Sequence, residues 1–523
     1  MTSERQASEK RESESGHSRR QFIGGALATV AAYPFVRAAA SLAADGSTGT
    51  TRLWIGAATV DITPKPPIAL TGFQTVRITS TIQSPLTANV LALESRDGDR
   101  VIDQAIWISC DLCVIRPGVQ EGFRKHVAGR LPGFDINKMF LAATHTHSAP
   151  VTVQDQYDEK DYGNATQPKD YLPFLYQQMA EAVVQAWNRR AVGAVGHGLG
   201  HAVIGQNRRI VFADGRAQMS FETNDPQFRH FEGYEDHGVD ILCFYDGKRQ
   251  LTATVIALAC TAQMSQGESV VSADFWHDAR ELLRARYGKE LCVLGFCAPA
   301  GDQCPHLSYR KKSETRMDRL RGLTRTQELG RRIAYAFFEV ADLIAQDVRE
   351  DVPLVHVVRQ IALPTRIVTD TEYAIAKKVC DAIDAKPERS GWDGWVRRLY
   401  GKVCDRYQDQ QQGKREYAME LHVLRLGDVA IATNPFELYV DYGVQIQARS
   451  VAEQTILIQL AATGSQDGYY VPTARAIASG GLSETVMDNY SATVMTNMIG
   501  PEGGQVLVEL TLEAIRELWS AIQ

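Results

Sequence analysis

The sequence has no long hydrophobic run free of charge or proline. Its mildly apolar stretch QFIGGALATVAAYPFVRAAASLAADG is broken by Pro34 and Arg37, which makes it a poor membrane span. There is no surplus of positive charge either. Lys and Arg number 56 against 62 Asp and Glu, a formal net charge of −6, which argues against nucleic acid as a partner and against a charge-driven hold on membranes. A cysteine framework is also missing. The nine cysteines, an odd number, run from Cys110 to Cys404 without regular spacing, so no disulfide scaffold is expected. Cys110/Cys113 and Cys292/Cys297 are spaced like metal pairs, but they sit in apolar, strand-like runs and read as small core residues. No internal repeat is visible, and no linker follows residue 50.

What is there is an ordinary globular composition, 44% hydrophobic and 23% charged over 523 residues, enough for one large α/β domain with appendages or for two to four smaller cores. Residues 1–20 are polar and charged. SRRQFIGG pairs Arg19 with Arg20 ahead of Phe22, and small-residue cleavage sites follow at Ala38-Ala39-Ala40 and Leu42-Ala43-Ala44. Charged region, twin arginine, apolar core and cleavage site in that order read as a twin-arginine export signal over 1–45, and hence a periplasmic or secreted protein. The plainer alternative is a disordered tail and a short helix. Export in the folded state fits the unpaired cysteines.

From residue 50 to 523 the pattern alternates strand and helix. Strand-like runs are predicted at 53–60, 101–111, 138–144, 191–204, 238–246, 251–260, 291–297, 419–433 and 455–461. Helical spacing covers 118–131, 170–190 (with Asp170 as cap), 272–288, 314–347, 436–449 and 501–521, the last opening at Pro501. A charged, helix-rich stretch at 371–416 reads as a surface insertion packed down by Trp392, Trp395 and Tyr400. The prediction is one large α/β catalytic domain with a mixed sheet covered on both faces.

The strand KMFLAAT ends at ATHTHSAP, which carries His145 and His147. A strand alternates faces, so both imidazoles are expected to point one way and Thr146 the other. Ligand sites in α/β sheets lie beyond the carboxyl ends of strands, so the pair suits a metal or acid/base chemistry; capping the strand is the bland alternative. Other strand ends carry Asp302, Cys304 and His306 in VLGFCAPAGDQCPH and Glu437 in IATNPFELY. SADFWHDAR places Asp274 at a helix start with His277 and Asp278 after it, and HFEGYEDHGVD crowds Glu232, Glu235, Asp236, His237 and Asp240.

Taken in order, GAATVDITPKPPIALTGF, PLTANVLALES, IWISCDL, ATHTHSAP, QNRR, SAD, GDQCP, NPFEL and GYYVPT resemble the catalytic domain of the neutral/alkaline, non-lysosomal ceramidases over roughly residues 54–519. The resemblance implies a zinc amidase that splits an N-acyl bond. Carried over, the zinc ligands are His145, Glu437 and Tyr470, and the residues at the reacting group are His147 and Arg208.

The pattern departs at three places. Thr261 stands where a second zinc histidine belongs, with Cys260 or His277 as replacement ligands to weigh. Cys304 replaces a serine beside Asp302, both candidate catalytic residues, and Leu482 stands where a tyrosine follows the zinc tyrosine. The family's C-terminal β-sandwich is not expected within these 523 residues. The resulting expectation is an exported, zinc-dependent (or other divalent-metal) amidase acting on an N-acyl compound, lipid or glycan derivative. A glycoside hydrolase or lyase on the same scaffold stays open, motivated by the acidic and histidine-rich runs 230–240 and 272–280. So does a degenerate binding protein.

Overall fold

The computed structural model describes residues 51–219, 222–461, 464 and 466–520. The export signal expected over 1–45 lies outside them. Among the described residues, no helix is long and apolar enough to cross a membrane.

The larger sheet has eight strands: β1 (Arg52–Asp61), β2 (Thr87–Asp97), β3 (Arg100–Cys110), β4 (Met139–Ala143), β5 (Ala191–His201), β6 (Gly238–Asp246), β7 (Leu251–Leu258) and β8 (Cys292–Cys297). Their order is β8-β7-β6-β5-β1-β2-β3-β4. Only the outermost pairs, β7/β8 and β3/β4, run parallel; the inner pairs are antiparallel. The central β2 is buried on both faces over Ala88–Ser95, with the apolar run Val90–Leu93 at its middle and Asn89, Glu94 and Ser95 buried beside it.

One face of this sheet meets helices. Val90, Ala92, Ile106, Ile108 and Leu141 pack on α2 (Pro168–Asn188), with α1 (Val119–Val127) beside it. Further along, Val239, Ile241 and Val293 pack on α3 (Phe275–Tyr287) and α5 (Arg325–Ile344), which follows α4 (Lys311–Arg321). The other face meets a second sheet, β9 (Leu354–Pro364), β10 (Glu416–Leu426), β11 (Val429–Thr433) and β12 (Gln454–Ile458). Trp107, Phe140 and Leu294 interdigitate there with Leu354, Leu424, Ile431 and Ile456. α8 (Val440–Arg449) and the last helix, Gly500–Ser520, close the far side of that sheet. The predicted mixed α/β domain is therefore present, with a second sheet rather than helices over one face of the first.

Local differences from the sequence reading have simple causes. α2 starts at Pro168, a favoured first helical residue, so Asp170 lies in the first turn instead of capping it. The long helical run after 310 is two helices, because Gly322 takes a left-handed conformation and Thr324 starts α5 with a capping box. The insertion is a helix pair, α6 (Asp370–Asp384) and α7 (Gly391–Gln411). Its own core joins Cys380, Leu399 and the fully buried Tyr400 to Leu482, Val486 and Val494. Trp392 is 43% exposed and packs against Trp395, with ring centres 5.0 Å apart.

One buried charge between the sheets needs an account. Asp240, on β6, accepts a 2.6 Å hydrogen bond from the Gln454 amide of β12. Burial outweighs that bond and pushes its carboxyl up to about 7.

Candidate metal centre

β3 and β4 are adjacent and parallel, so their carboxyl ends lie side by side. Just past β3, Asp111 accepts from both Arg280 nitrogens at 2.6 and 3.0 Å, from the Thr87 backbone at 2.9 Å and from the Thr144 hydroxyl at 3.3 Å. Arg280 and Asp111 are both sealed from solvent. Breaking such a buried pair from one side costs about 3–5 kcal/mol, so this clamp fixes where β4 hands over to the histidines.

The hand-over is a turn. β4 ends at Ala143, and His145 has φ +65°, a region that non-glycine residues rarely occupy. The Leu112 carbonyl holds it there by accepting the N–H groups of His145 at 3.0 Å and Thr146 at 3.2 Å. His145 and His147 thus meet because the chain turns, not because a strand alternates. Their ring centres are 4.9 Å apart and their Nε2 atoms 3.3 Å apart. Strain held at such a point by several surrounding bonds is common at functional sites. Gly72, at φ +89°, makes room for His147: a Cβ there would lie 2.4 Å from the His147 Cγ.

The hydrogen bonds settle which nitrogens carry protons. His145 Nδ1 donates to the Cys113 carbonyl at 2.7 Å, which leaves a lone pair on Nε2. The Gln263 carbonyl oxygen accepts from the Thr261 hydroxyl at 2.8 Å and from Arg208 at 3.2 Å. Its NH₂ group therefore donates to His147 Nε2, at 2.6 Å. Glu437 stands across from Tyr470 in a short parallel pairing, and the Tyr470 hydroxyl bonds to its carboxylate. The Glu437 Oε2 atom is buried without a hydrogen-bond partner, 3.6 Å from His145 Nε2. Arg208 donates to the Gly301 carbonyl at 2.9 Å and approaches Glu437 Oε2 at 3.8 Å. Burial pushes both histidines below their ordinary range; for His147 the positive charges of its neighbours add to this and the shift is large.

The lone pair of His145 Nε2 and a Glu437 oxygen without a hydrogen bond thus converge in a buried place, with the Tyr470 hydroxyl on the same carboxylate and His147 Nε2 3.3 Å away, held by Gln263. A divalent cation held by His145 and Glu437 fits that arrangement. The group Cys113, His145 and His147 also has the composition of a metal site, with one ligand atom from each within 4.8 Å of the others.

These residues form the floor of a cavity of about 480 Å³. Its roof comes from the insertion: Trp395, Arg398, Leu399 and Lys402 of α7 line it, opposite Tyr469 and Tyr490. The Trp395 and Tyr490 rings are 6.0 Å apart, and Tyr490 meets Tyr470 edge-on at 6.1 Å. At one wall Arg116 and Lys402 share the single carboxylate of Asp467 at 2.8 and 3.4 Å.

The fold brings together His145, His147, Arg208, Glu437 and Tyr470 at this cavity. The other sequence candidates stand elsewhere. Cys304 and Asp302 are buried and do not line it. Burial pushes the Cys304 thiol up to about 11, which does not suit a nucleophile. The Asp302 carboxylate accepts from the Val440 backbone at 2.9 Å and from Asn207 at 3.3 Å, so it ties α8 to the strand before Arg208. His277 sits in the first turn of α3 and contributes nothing to the cavity wall. Thr261 and Cys260 are buried outside it as well. The acidic runs are spent on structure: Glu232 pairs with Arg209 at 2.9 Å, Glu235 accepts the Asn207 backbone at 3.0 Å, and Asp274 caps α3.

Gln263, Cys113 and Tyr490 escaped the sequence reading. Gln263 lies two residues past Thr261, and nothing in a glutamine's sequence context marks it as a clamp. Cys113 was taken for a core residue with the other three paired cysteines; Cys110, Cys292 and Cys297 are core residues, but Cys113 faces the cavity.

No protein-family model and no curated protein matches this chain. Among solved structures, a neutral ceramidase from Pseudomonas aeruginosa superposes with a TM-score of 0.64 at 17% identity, over 89% of this chain and 75% of that one. The chain has the neutral ceramidase fold. A ceramidase complexed with C2 agrees, with a TM-score of 0.62, 16% identity and the same coverage. The fold expected from the sequence is thus the one observed, and in this chain the paired histidines lie past the carboxyl ends of the parallel strands β3 and β4.

Proposed function

We propose that this chain is an exported metal-dependent hydrolase that cleaves the amide of an N-acyl compound. One observation carries the reading: the buried convergence of His145 Nε2, His147 Nε2 and the unpartnered Glu437 Oε2 beside Arg208. His145 and Glu437, with Tyr470 beside them, are the residues that would hold a zinc-like ion. Such an ion supplies Lewis acidity toward a carbonyl and an acidified water at neutral pH.

The protein's own groups divide the rest of the work. His147 lies beside His145, and we assign its Nε2 the proton released as the amide is attacked, once the Gln263 amide gives way. Arg208, anchored by Gln263 and the Gly301 carbonyl, places positive charge where the carbonyl oxygen turns negative. The cavity wall of Trp395, Tyr469, Tyr490, Arg116 and Lys402 favours an N-acyl compound with a polar head over a purely apolar one. The carboxylates that motivate the carbohydrate-cleaving alternative, Glu232, Glu235, Asp236, Asp240, Asp274 and Asp278, do not line the cavity, which favours the amidase reading.

The test is to strip the purified protein with a chelator, assay it against N-acyl amino sugars, N-acyl amino acids and ceramides, and then restore zinc. Activity lost on stripping and recovered with zinc supports the reading. Equal activity in stripped and restored protein, or product masses from glycosidic cleavage, would sink it.

A further inference from the structure

The ceramidase-like site is short of one ligand, because Thr261 stands where a histidine is expected. The segment that carries Thr261 does not make good the loss. Thr261 gives its hydroxyl to Gln263, and both polar ends of Gln263 are engaged, with Arg208 and Thr261 at one and His147 at the other. Cys260 is turned away, its thiol donating to the Thr261 carbonyl at 3.4 Å.

The replacement comes from the other side of the cavity. Cys113 follows the carboxyl end of β3, beside the turn that carries the histidines. Its carbonyl fixes the His145 ring through Nδ1 at 2.7 Å, and its sulfur lies within 4.8 Å of the His145 and His147 ligand atoms. Of the nine cysteines, Cys113 alone lines the cavity. The Glu437 Oε2 atom, buried in the same pocket without a hydrogen bond and 3.8 Å from Arg208, is a second oxygen able to bind a cation. Closing sulfur and nitrogens from 4.8 Å onto one ion needs movement on the order of 1 Å, within the reach of side-chain rotation.

We propose that the Cys113 thiolate is a metal ligand, standing in for the histidine missing at position 261. This rests on the metal-dependent reading above. The thiol gives up its proton to solvent as the metal–sulfur bond forms, so binding releases one proton per ion. The donor set becomes imidazole, thiolate and carboxylate, which selects zinc or cobalt over magnesium, calcium and manganese.

Cobalt(II) tests this without recourse to activity. The chelator-stripped full chain is titrated with Co²⁺ and its absorption recorded. The expected result is visible d–d bands together with a near-ultraviolet sulfur-to-cobalt charge-transfer band. Cys113→Ser should keep the visible bands, lose the charge-transfer band and bind at least about tenfold more weakly. Cys260→Ser and Cys304→Ser should keep both. Burial pushes the metal-free Cys113 thiol up to about 12, so alkylation in the unaltered protein is run at alkaline pH and mapped by mass spectrometry; zinc should slow it by about tenfold or more, because bound metal occupies the sulfur. That measurement stands even if the variant does not fold. Cobalt binding without a charge-transfer band, a band that survives in Cys113→Ser, or zinc-independent alkylation overturns the role of Cys113 and leaves the metal reading intact. No cobalt or zinc binding at all overturns both.

Discussion

The Nε2 atoms of His145 and His147 face each other at 3.3 Å with no proton between them, since one ring is protonated toward the Cys113 carbonyl and the other accepts from Gln263. The two rings have unequal partners. His145 also faces the Glu437 carboxylate, whereas His147 is tied to the glutamine that steadies Arg208. Replacing them should therefore have different effects. His145→Ala should abolish stoichiometric zinc binding in a metal assay. His147→Ala should retain zinc, though more weakly, and lower kcat by about 10²–10⁴-fold, the usual contribution of a general base. Equal zinc loss in both variants would contradict this division.

Gln263 couples the base to the cation. Gln263→Leu removes the bond to His147 Nε2 and leaves an Arg208 nitrogen without its acceptor. We expect kcat/KM to fall by about 10–100-fold, with metal content unchanged. Activity at the parent level would mean that this amide positions neither residue.

Gly72 is a steric key. Its φ of +89° and the 2.4 Å approach of the His147 Cγ leave no space for a methyl group. Gly72→Ala should cost about 1–3 kcal/mol in denaturant unfolding and displace the His147 ring, with a larger loss of activity than of stability. A variant that keeps full activity would show that the ring can settle elsewhere.

Asp240 makes stability depend on pH. Its carboxyl is raised from 3.8 to about 7 in the folded protein by burial. The folded state thus holds this proton more tightly than the unfolded chain. Its contribution is favourable below the unfolded value and is lost as pH rises from about 4 to 7. Asp240→Asn keeps a hydrogen-bonding group toward Gln454 and has no charge to bury. The variant's gain in Tm over the parent should be larger at pH 8 than at pH 5. A gain independent of pH would contradict the raised carboxyl.

Much of the fold was legible because buried strands and amphipathic helices impose their periods on the chain. β3, β8 and α3 follow from apolar runs and a terminal glycine, whereas β2, with Asn89 and Glu94 in it, is read only through the family resemblance. The second sheet was less visible, since a strand that covers another sheet looks locally like one covered by helices. At the site, the paired histidines, Glu437, Tyr470 and Arg208 were legible as ordered motifs. Their true relation was not. It depends on the left-handed turn at His145, which a histidine does not announce, and on Cys113 and Gln263, whose partners are brought near only by the fold. Cys304 misled for the opposite reason: a thiol in a glycine-rich turn looks reactive until its burial is known.

The insertion α6–α7 packs through a small core of its own, separate from the cores that hold His145, Arg208 and Glu437. The two parts touch where Trp395 meets Tyr490, which meets Tyr470, and where Lys402 and Arg116 share Asp467. Exchanging Trp395, Arg398 or Lys402 should therefore change first which molecules are admitted, since none of the three contacts His145 or Glu437 directly. A protein built this way can change its diet while keeping its teeth, and a search for its natural substrate, or for a new one, should begin on α7.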